Sequence, residues 1–450
     1  MLYFPSIKGR YPVGATTFQL AVPSPITVGT SKIRAGGQNG DLKSALVVEE
    51  IAFTAYYPAQ VRNIKRTRGL DWLIRPIRES LRGYAHFAGI STWIVRPLVY
   101  LYGSFLRVPV HENAPLLSPV LVSEDAEPPK PNQNSWPLVI FSHGLGGSRT
   151  TYSQLCMRLA SSGRVVLAME HRDGSGHVCV PSRSPAKLYI KESDIIWSPD
   201  TKDEERTMLS FRGDQLTFRQ HEIYLAYAAF SKLVKYGYEG PGNGLQLTDA
   251  SKIDWDSWTQ KDDVVPIQCD DNIALAGHSF GGATVFSILS TDPPSSESTP
   301  IPVNKALILD PWIEPICSPG PSPVPSPRDR PLPRLLVINS EGFTLWKDHF
   351  ERLVGVVGVW EPAGRRLLTI VRSKHISFSD FPLLPLTIKK KAHIVMDIIS
   401  KLSLAFLDGS IDNALDDIRT RKMEIKIVGI KKDGRPSRQL VGDIGDVIVH

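Results

Sequence analysis

The sequence predicts an α/β fold in which a mostly parallel sheet carries helices on both faces. Short apolar runs alternate with segments of helical periodicity from residue 137 to residue 407, which is the pattern of repeated strand and helix units. The apolar runs are continuous, as is typical of parallel strands buried on both faces. Ligands of such sheets bind at the carboxyl ends of the strands, so functional side chains are expected there. The predicted strands cover residues 137–141, 165–169, 272–276, 305–310, 335–339 and 367–372, and the predicted helices cover 151–162, 207–234 and 387–407.

The composition is that of a globular protein. The chain has 450 residues, of which 42% are hydrophobic and 22% are charged, and its net charge of +6 is too dilute to favour a nucleic-acid partner. The longest apolar tract, residues 97–106, is too short to span a bilayer, and the N-terminal residues lack a signal-peptide pattern. We therefore expect a soluble cytoplasmic protein, with peripheral membrane contact as the alternative. The cysteines are far apart and form no CxxC pair, so neither a zinc site nor a disulfide framework is predicted: Cys156, Cys179, Cys269 and Cys317.

The domain organisation follows from changes in composition. We expect a single domain over residues 1–409, with insertions at 175–205 and 292–333, the second of which is rich in proline and serine. Residues 410–450 form a C-terminal extension that we expect to be partly disordered and to contain a hairpin turn at 432–434. No pattern in the chain predicts an oligomeric state.

The segment 70–108 predicts a pair of amphipathic N-terminal helices. Its apolar residues recur at mostly helical intervals, with arginines between them. Two interpretations remain open: the helices pack on the core, or they contact a lipid surface. The apolar residues are Leu70, Trp72, Leu73, Ile74, Ile77, Leu81, Tyr84, Phe87, Trp93, Ile94, Leu98, Leu101 and Phe105.

The run Gly277-His278-Ser279-Phe280-Gly281 predicts a nucleophile. It follows an apolar strand and precedes a helix of small and apolar residues, which is the nucleophile elbow of an α/β-hydrolase. The turn is expected to hold Ser279 in a strained backbone conformation, and a Cβ at either flanking glycine would collide with the neighbouring backbone. The serine hydroxyl would then stand at the carboxyl edge of the sheet.

A serine needs a base and an acid, and in this fold both follow the serine in the chain. His375 comes after a predicted strand, whereas His349 and His393 lie in predicted helices. Asp310 ends the strand after the elbow, and Glu341 at the end of the next strand is the alternative acid. Such an acid holds the imidazole in one tautomer and stabilises its charged form.

The oxyanion of an acyl-transfer intermediate needs two N–H donors. We expect one from the backbone of Phe280 and the other from the turn His143–Gly147, at Leu145. His143 is expected to brace that turn, and His278 to point away from the serine hydroxyl. No metal-ligand spacing or phosphate-binding loop is present, so neither a metal nor another cofactor is predicted.

The chain resembles the platelet-activating factor acetylhydrolases, the plasma and intracellular type II group of calcium-independent lipases. The likeness covers roughly residues 10–405, and an apolar segment around 72–105 is also similar. The insertions look longer or richer in proline than the family pattern, and the C-terminal extension is additional. The matching blocks are residues 138–146, 170–173, 277–284, 309–312, 336–341 and 374–381.

The resemblance implies hydrolysis of the short sn-2 acyl group, typically acetyl, of ether or oxidised phospholipids. It implies that Ser279, Asp310 and His375 are the triad, that Leu145 and Phe280 hold the oxyanion, and that the 70–108 helices contact lipid. We also weigh two alternatives, a broad-range soluble carboxylesterase and a catalytically silent protein that binds a lipid or a partner. The intact set of serine, acid and histidine argues against the silent protein.

Overall fold

The structure is a computed structural model. It describes residues 2–34, 40–61, 68–120, 135–182, 184–199, 201–241, 244–247, 253–261, 264–323, 332–385 and 390–450. Part of the expected insertion 292–333 therefore lies outside the described residues.

The described residues form strands and helices that match most of the predicted segments. The strands are β1 Leu2–Tyr3, β2 Val13–Thr27, β3 Lys32–Arg34, β4 Leu42–Ser44, β5 Val47–Pro58, β6 Leu70–Asp71, β7 Leu106–Val108, β8 His111–Glu112, β9 Trp136–Ser142, β10 Val165–Glu170, β11 Val178–Cys179, β12 Lys187–Leu188, β13 Leu245–Leu247, β14 Ile267–Gln268, β15 Ile273–His278, β16 Val303–Leu309, β17 Arg334–Ser340, β18 Leu367–Ile370, β19 Thr420–Arg421, β20 Ile425–Ile430, β21 Pro436–Leu440 and β22 Val447–Val449. The α-helices are α1 Ile77–Ala88, α2 Thr92–Leu101, α3 Ser153–Ser161, α4 Met208–Tyr236, α5 Phe280–Leu289, α6 Glu341–Thr344, α7 Lys347–Trp360, α8 Lys390–Asp408 and α9 Ile411–Asp416.

One large sheet organises the molecule. Its strand order is β13-β2-β5-β10-β9-β15-β16-β17-β18-β22-β19, with β14 also beside β9 and β8 beside β2. The central strands from β10 to β18 are parallel, whereas β5 and β22 join them in the antiparallel sense. The predicted α/β fold with a mostly parallel sheet is confirmed.

Strand alternation divides the hydrophobic core into two layers. In β9, Leu138 and Ile140 pack on the face covered by α4, α5 and α7, while Val139 and Phe141 pack on the face covered by α3 and α8. The other central strands alternate in the same way, so each is buried on both faces. This explains why their sequences are continuously apolar.

The sheet extends beyond the limits that the sequence predicted for its core. Strands β2 and β5 lie before residue 137, yet they pair with each other and β5 pairs with β10. At the other end of the chain, β22 pairs with β18. Residue 409 therefore does not mark an end of the sheet, because strand pairing places part of the 410–450 extension inside it. The expected hairpin turn at 432–434 joins β20 to β21.

The two N-terminal helices have one buried side and one exposed side. Helix α1 buries Leu81 and Ala85 but leaves Phe87 40% exposed. In α2, Trp93 is 80% exposed and Ile94 is 70% exposed. The core-packing interpretation thus holds for the buried side of these helices, and lipid contact stays a prediction for the exposed side.

Trp72, one of the apolar residues of this segment, follows the interpretation in which the segment packs on the core. It is buried, and its indole N–H donates to the Asp380 carboxylate. Trp72 therefore belongs to the core and has no surface to offer to lipid.

No helix of the described segments is long and apolar enough to cross a bilayer. The thiols of Cys156, Cys179, Cys269 and Cys317 are all free, and only that of Cys317 is exposed.

Candidate active site

Ser279 occupies a sharp turn between β15 and α5. Its φ is +57° and its ψ is −118°, a conformation that residues with a side chain rarely adopt. Its N–H donates to the carbonyl of Leu309 on β16, and its own carbonyl accepts from Trp312. These bonds hold the strained backbone that the sequence predicted for the elbow.

The glycines on either side of Ser279 are required by space. A Cβ on Gly277 would overlap the carbonyl group of Gly281, and a Cβ on Gly281 would overlap the carbonyl group of Ser142 at the end of β9. Both overlaps involve backbone atoms, which cannot rotate away as a side chain can. The steric function expected of these glycines is confirmed.

The structure brings Ser279, His375 and Asp310 together in the order of a catalytic triad. Nε2 of His375 lies 2.9 Å from Oγ of Ser279, and Nδ1 of His375 lies 2.7 Å from a carboxylate oxygen of Asp310. Asp310 is fully buried, while the His375 side chain is 39% exposed. A second Asp310 oxygen accepts the Ser340 N–H at 2.7 Å, which fixes the carboxylate plane. This arrangement can remove a proton from the serine hydroxyl.

The His375 imidazole is held between two rings. Phe343 stacks on one side, with centroids 4.3 Å apart and planes 4° from parallel. His278 lies on another side at 4.5 Å. Burial and the neighbouring His375 lower the pKa of His278 well below its usual value, so its ring stays neutral at pH 7. A neutral ring at this position places no additional positive charge beside His375.

Glu341, the alternative acid, has other partners. Its carboxylate accepts the N–H of Arg372 at 2.6 Å and the N–H of Leu440 at 3.0 Å, and it forms an ion pair with the Arg372 guanidinium. It therefore holds the C-terminal segment against the loop that precedes His375. Among the described residues, Asp310 is the carboxylate that hydrogen-bonds to His375.

The two expected oxyanion donors lie on the elbow and on the turn His143–Gly147. The N–H of Phe280 is at the first position of α5, where a helix has no internal acceptor. Gly146 and Gly147 in the turn donate to protein carbonyls, whereas Leu145 N–H has no acceptor among the described residues. A Cβ on Gly144 would lie 2.9 Å from Cβ of Ser279, so the turn passes directly beside Ser279. Both N–H groups are thus available to a ligand.

His143 and Tyr152 fix the turn His143–Gly147 through hydrogen bonds to Gly144. Nδ1–H of His143 donates to the Gly144 carbonyl at 2.8 Å, and its Nε2 accepts the His171 N–H. Burial and the nearby positive charge of Arg219 lower the pKa of His143 to about 3, which keeps it neutral. Tyr152 accepts the Gly144 N–H and bonds Nδ1 of His278, which joins the turn to the elbow. The side chain of His278 accordingly bonds away from the serine hydroxyl.

Arg219 on α4 is a central residue of the site that the sequence did not identify. Its guanidinium is completely buried, pairs with Asp173 and donates to the carbonyl of His143 at 2.8 Å. It also lies over the ring of Phe280, 4.4 Å from its centre. One side chain therefore contacts both the turn and the elbow.

A second chain of a serine, a histidine and an acid lies inside the molecule. Oγ of Ser142 is 2.7 Å from Nε2 of His171, and Nδ1 of His171 is 2.6 Å from the Glu222 carboxylate. All three side chains are buried, and burial lowers the pKa of His171 well below its usual value. Because Ser142 directly precedes His143, this chain supports the turn and offers no accessible nucleophile.

The signal for these residues was present but ambiguous. Arg212, Gln215, Arg219 and Glu222 recur at helical spacing on α4 and so look like an ordinary solvated stripe. In the structure the same stripe faces the turn and is buried. Periodicity identifies a polar face but does not say what covers it.

The chain is similar to known proteins over most of its length. A sequence model of the family described as platelet-activating factor acetylhydrolase, isoform II, matches residues 2–423. A platelet-activating factor acetylhydrolase of Cavia porcellus is 28% identical over 385 residues, which cover 82% of this chain and 74% of the relative. A putative phospholipase A2 of Schizosaccharomyces pombe is 28% identical over 290 residues, which cover 62% of this chain and 57% of the relative.

A solved structure shares the fold. The ferulic acid esterase of Streptomyces cinnamoneus superposes with a TM-score of 0.50 at 16% sequence identity, covering 92% of this chain and 94% of the esterase. At that identity the likeness concerns the fold alone.

Proposed function

This chain belongs to the platelet-activating factor acetylhydrolase, isoform II, family and is an esterase, and on that premise we propose that it is a serine esterase. Its proposed substrates are phospholipids with a short sn-2 acyl group, such as the acetyl group of platelet-activating-factor-like lipids or the shortened chain of oxidised lipids. The observation that carries the proposal is the continuous hydrogen-bonded chain Ser279–His375–Asp310.

Acylation is the first half of the proposed reaction. Oγ of Ser279 attacks the ester carbonyl carbon while Nε2 of His375 takes the hydroxyl proton. The carbonyl oxygen becomes an oxyanion, which the N–H groups of Leu145 and Phe280 stabilise. The ester bond to the glycerol oxygen then breaks, and His375 returns its proton to that oxygen. The products are a lysophospholipid and an acyl-Ser279 ester.

Deacylation is the second half of the proposed reaction, and in it a water molecule replaces the serine hydroxyl as the attacking group. His375 removes a proton from a water molecule that attacks the acyl-Ser279 carbonyl, and the same two N–H groups stabilise the second oxyanion. The bond to Oγ breaks, Ser279 recovers its proton from His375, and the free acid leaves. Ser279 and His375 carry every proton transfer and two backbone N–H groups stabilise the oxyanion, so we propose that the reaction is independent of calcium.

The apolar surroundings of the nucleophile support a short acyl group. Leu145, Trp312 and Ile316 pack partly buried around Phe280, next to the elbow. Trp312 is tied to the elbow through its N–H bond to the Ser279 carbonyl. Bulky side chains so close to the reacting centre favour an acetyl group over a long chain.

We also propose that α1 and α2 contact the lipid surface from which the substrate is drawn, in the cytoplasm. Helix α1 lies on the oxyanion turn, since a Cβ on Gly146 would meet the Phe87 ring 2.6 Å away. Beyond it, Trp93 and Ile94 are largely exposed. Arg78, Arg82 and Arg96 line a groove of about 410 Å³ between the two helices, where they could meet lipid phosphates.

A broad-range carboxylesterase is the second candidate, because the same triad would serve any accessible ester. The test compares the wild type with Ser279→Ala on a short sn-2 acyl phospholipid and on p-nitrophenyl acetate, with and without chelator. We expect the wild type to hydrolyse both substrates, each at the same rate with and without chelator. Ser279→Ala should hydrolyse neither substrate.

Activity on the p-nitrophenyl ester alone would favour the carboxylesterase. Equal rates for the two proteins would favour the catalytically silent alternative, and a loss of rate with chelator would contradict the metal-free mechanism.

A further inference from the structure

The hairpin formed by β20 and β21, residues 425–440, exposes an apolar face. Ile425, Ile427 and Ile430 pair with Leu440, Arg438 and Pro436, which alternate along β21, so the three isoleucines lie on one face of the hairpin. Ile427 is 69% exposed and Ile430 is 78% exposed. Exposed isoleucines grouped on one face mark an interaction surface rather than ordinary surface scatter.

The same hairpin is strongly basic. Residues 425–440 carry five lysine or arginine side chains against one acidic residue, a net charge of +4 out of the chain's total of +6. The acidic residue, Asp433, is already paired with Arg435. The side chains of Lys426, Lys431, Lys432 and Arg438 are exposed as well, and Arg438 pairs directly with Ile427. This surface is complementary to a partner that is both anionic and apolar.

The base of the hairpin is fixed at the edge of the sheet that carries the triad. Glu341 accepts the Leu440 N–H, and Arg372 donates to the Leu440 carbonyl at 2.8 Å. Ser340, the neighbour of Glu341, donates to Asp310, and Arg372 lies in the loop that leads to His375. What binds the hairpin is therefore brought to the carboxyl edge of the sheet, where the nucleophile stands.

We propose that the hairpin 425–440 is a second membrane-docking element, which binds the surface of an anionic phospholipid bilayer with its isoleucines inserted and its basic side chains at the phosphates. It lies beyond residue 423, where the match to the family ends. Docking through both the hairpin and helices α1 and α2 would give the enzyme two points of attachment, and their contributions to membrane affinity multiply.

Charge decides between the possible occupants of this surface. A second copy of the chain would bring another hairpin of net charge +4 against the first, and the like charges would repel. An anionic bilayer offers acyl chains and phosphates together, which suits both the isoleucines and the lysines. The choice of a bilayer over an acidic protein rests on the proposed function. The exposure and the charge of the hairpin are independent of that function.

The test is vesicle flotation of the full chain carrying Ser279→Ala, so that no lipid is hydrolysed. The vesicles contain phosphatidylcholine alone or phosphatidylcholine with phosphatidylserine. Binding should be much stronger to the vesicles with phosphatidylserine than to those of phosphatidylcholine alone. Ile427→Ser with Ile430→Ser, and separately Lys431→Glu with Lys432→Glu, should each lower the partition coefficient by about tenfold or more.

Matched controls are Val354→Ser with Val359→Ser, two exposed valines on α7, and Lys390→Glu with Lys391→Glu, two adjacent exposed lysines on α8. Both control proteins should bind like the parent.

Hairpin variants that bind like the parent would overturn the proposal, as would equal binding to the two kinds of vesicle. A parent dimer that the hairpin substitutions dissociate, with flotation unchanged, would identify a second copy as the occupant instead. When the hairpin substitutions are made in the protein that keeps Ser279, hydrolysis of p-nitrophenyl acetate should be unchanged. This activity also reports correct folding. If that hydrolysis is absent from the wild type while flotation behaves as expected, the proposed function fails and the docking stands.

Discussion

Arg219 lies 4.4 Å from the centre of the Phe280 ring, and the same guanidinium donates to the carbonyl of His143. The two proposed oxyanion donors belong to separate segments, the elbow and the turn after β9. The Arg219 side chain contacts both segments, as Tyr152 does, and Ser175 and Asp173 hold the guanidinium from the other side. The distance between the two donors therefore depends on a residue that does not itself reach the substrate.

Arg219→Lys should slow the reaction more than it weakens substrate binding. Lysine keeps the positive charge but lacks the planar set of donors that spans the turn and the elbow. We expect kcat for p-nitrophenyl acetate to fall about 100-fold with little change in KM, because a misplaced donor weakens transition-state binding. Steady-state kinetics with a thermal melt measures this. Arg158→Lys, at a surface ion pair with Asp397, is the control, and an unchanged kcat in Arg219→Lys would contradict the positioning role.

The two carboxylates near His375 should respond differently to neutralisation. Asp310→Asn should lower kcat by about 10,000-fold, because the amide cannot hold the His375 tautomer or stabilise its charge. Glu341→Gln should change kcat far less but lower the free energy of unfolding by about 2 kcal/mol, since it weakens the bonds to Arg372 and Leu440. Kinetics and urea unfolding of both variants provide the comparison. A larger kcat loss in Glu341→Gln would reverse the assignment.

Gly281→Ala should not fold stably. Its Cβ would overlap the carbonyl of Ser142, and neither the elbow helix nor β9 can move without disturbing the sheet. We expect a loss of about 3 kcal/mol or more in the free energy of unfolding. The control is Gly358→Ala on α7, where nothing lies within 4 Å of the added Cβ and helix propensity predicts a gain of up to about 1 kcal/mol. Urea unfolding measures both, and a folded, active Gly281→Ala protein would contradict the steric account of the elbow.

His177 should make the protein sensitive to acid. Burial lowers its pKa to about 4, against 6.5 for an exposed histidine, and its ring stacks on Tyr84 of α1 at 3.8 Å. Between these two pH values the unfolded chain binds a proton that the folded protein excludes, so stability is full above pH 6.5 and falls as the pH approaches 4.

Replacing the His177 imidazole measures how much it contributes to the loss of stability in acid. His177→Phe keeps the stack on Tyr84, so the stability lost between pH 6.5 and pH 4 should be smaller by about 3 kcal/mol. Urea unfolding across this pH range is the measurement, with His393→Phe on α8 as the control. Equal losses in His177→Phe and the wild type would mean that other groups govern the acid sensitivity.

The exposed residues of α2 should matter only when the substrate is in a bilayer. Trp93→Ala with Ile94→Ala should lower hydrolysis of a vesicle-borne short sn-2 acyl phospholipid by about tenfold, since these side chains would otherwise insert at the interface. Hydrolysis of soluble p-nitrophenyl acetate should not change, and Val354→Ala with Val359→Ala on α7 should behave as the wild type does on both substrates. A parallel loss on the soluble ester would indicate damage to the site rather than loss of docking.

The parts of the molecule that follow from local patterns were predicted well. The elbow at Ser279 needs two glycines and an apolar strand, and all three are visible in the sequence. The buried parallel strands were likewise predicted from their continuous apolar runs. The roles of Arg219 and Trp72 were not predicted, because they depend on distant partners, His143 and Asp380, that no local pattern connects to them. The pairing of β22 with β18 was missed for the same reason, since a short terminal strand has no partner in its own neighbourhood.

The positive φ angles of Ser279 and Asp310, +57° and +45°, lower the stability of the folded protein at two of the proposed catalytic residues. A residue held in such a conformation costs about 1–3 kcal/mol, and glycine at either position would relieve most of that cost. Glycine would also remove the hydroxyl or the carboxylate. Directed evolution that rewards heat resistance without assaying turnover would therefore favour inactive descendants at these two positions. Libraries for improving this enzyme are best screened for hydrolysis after heating.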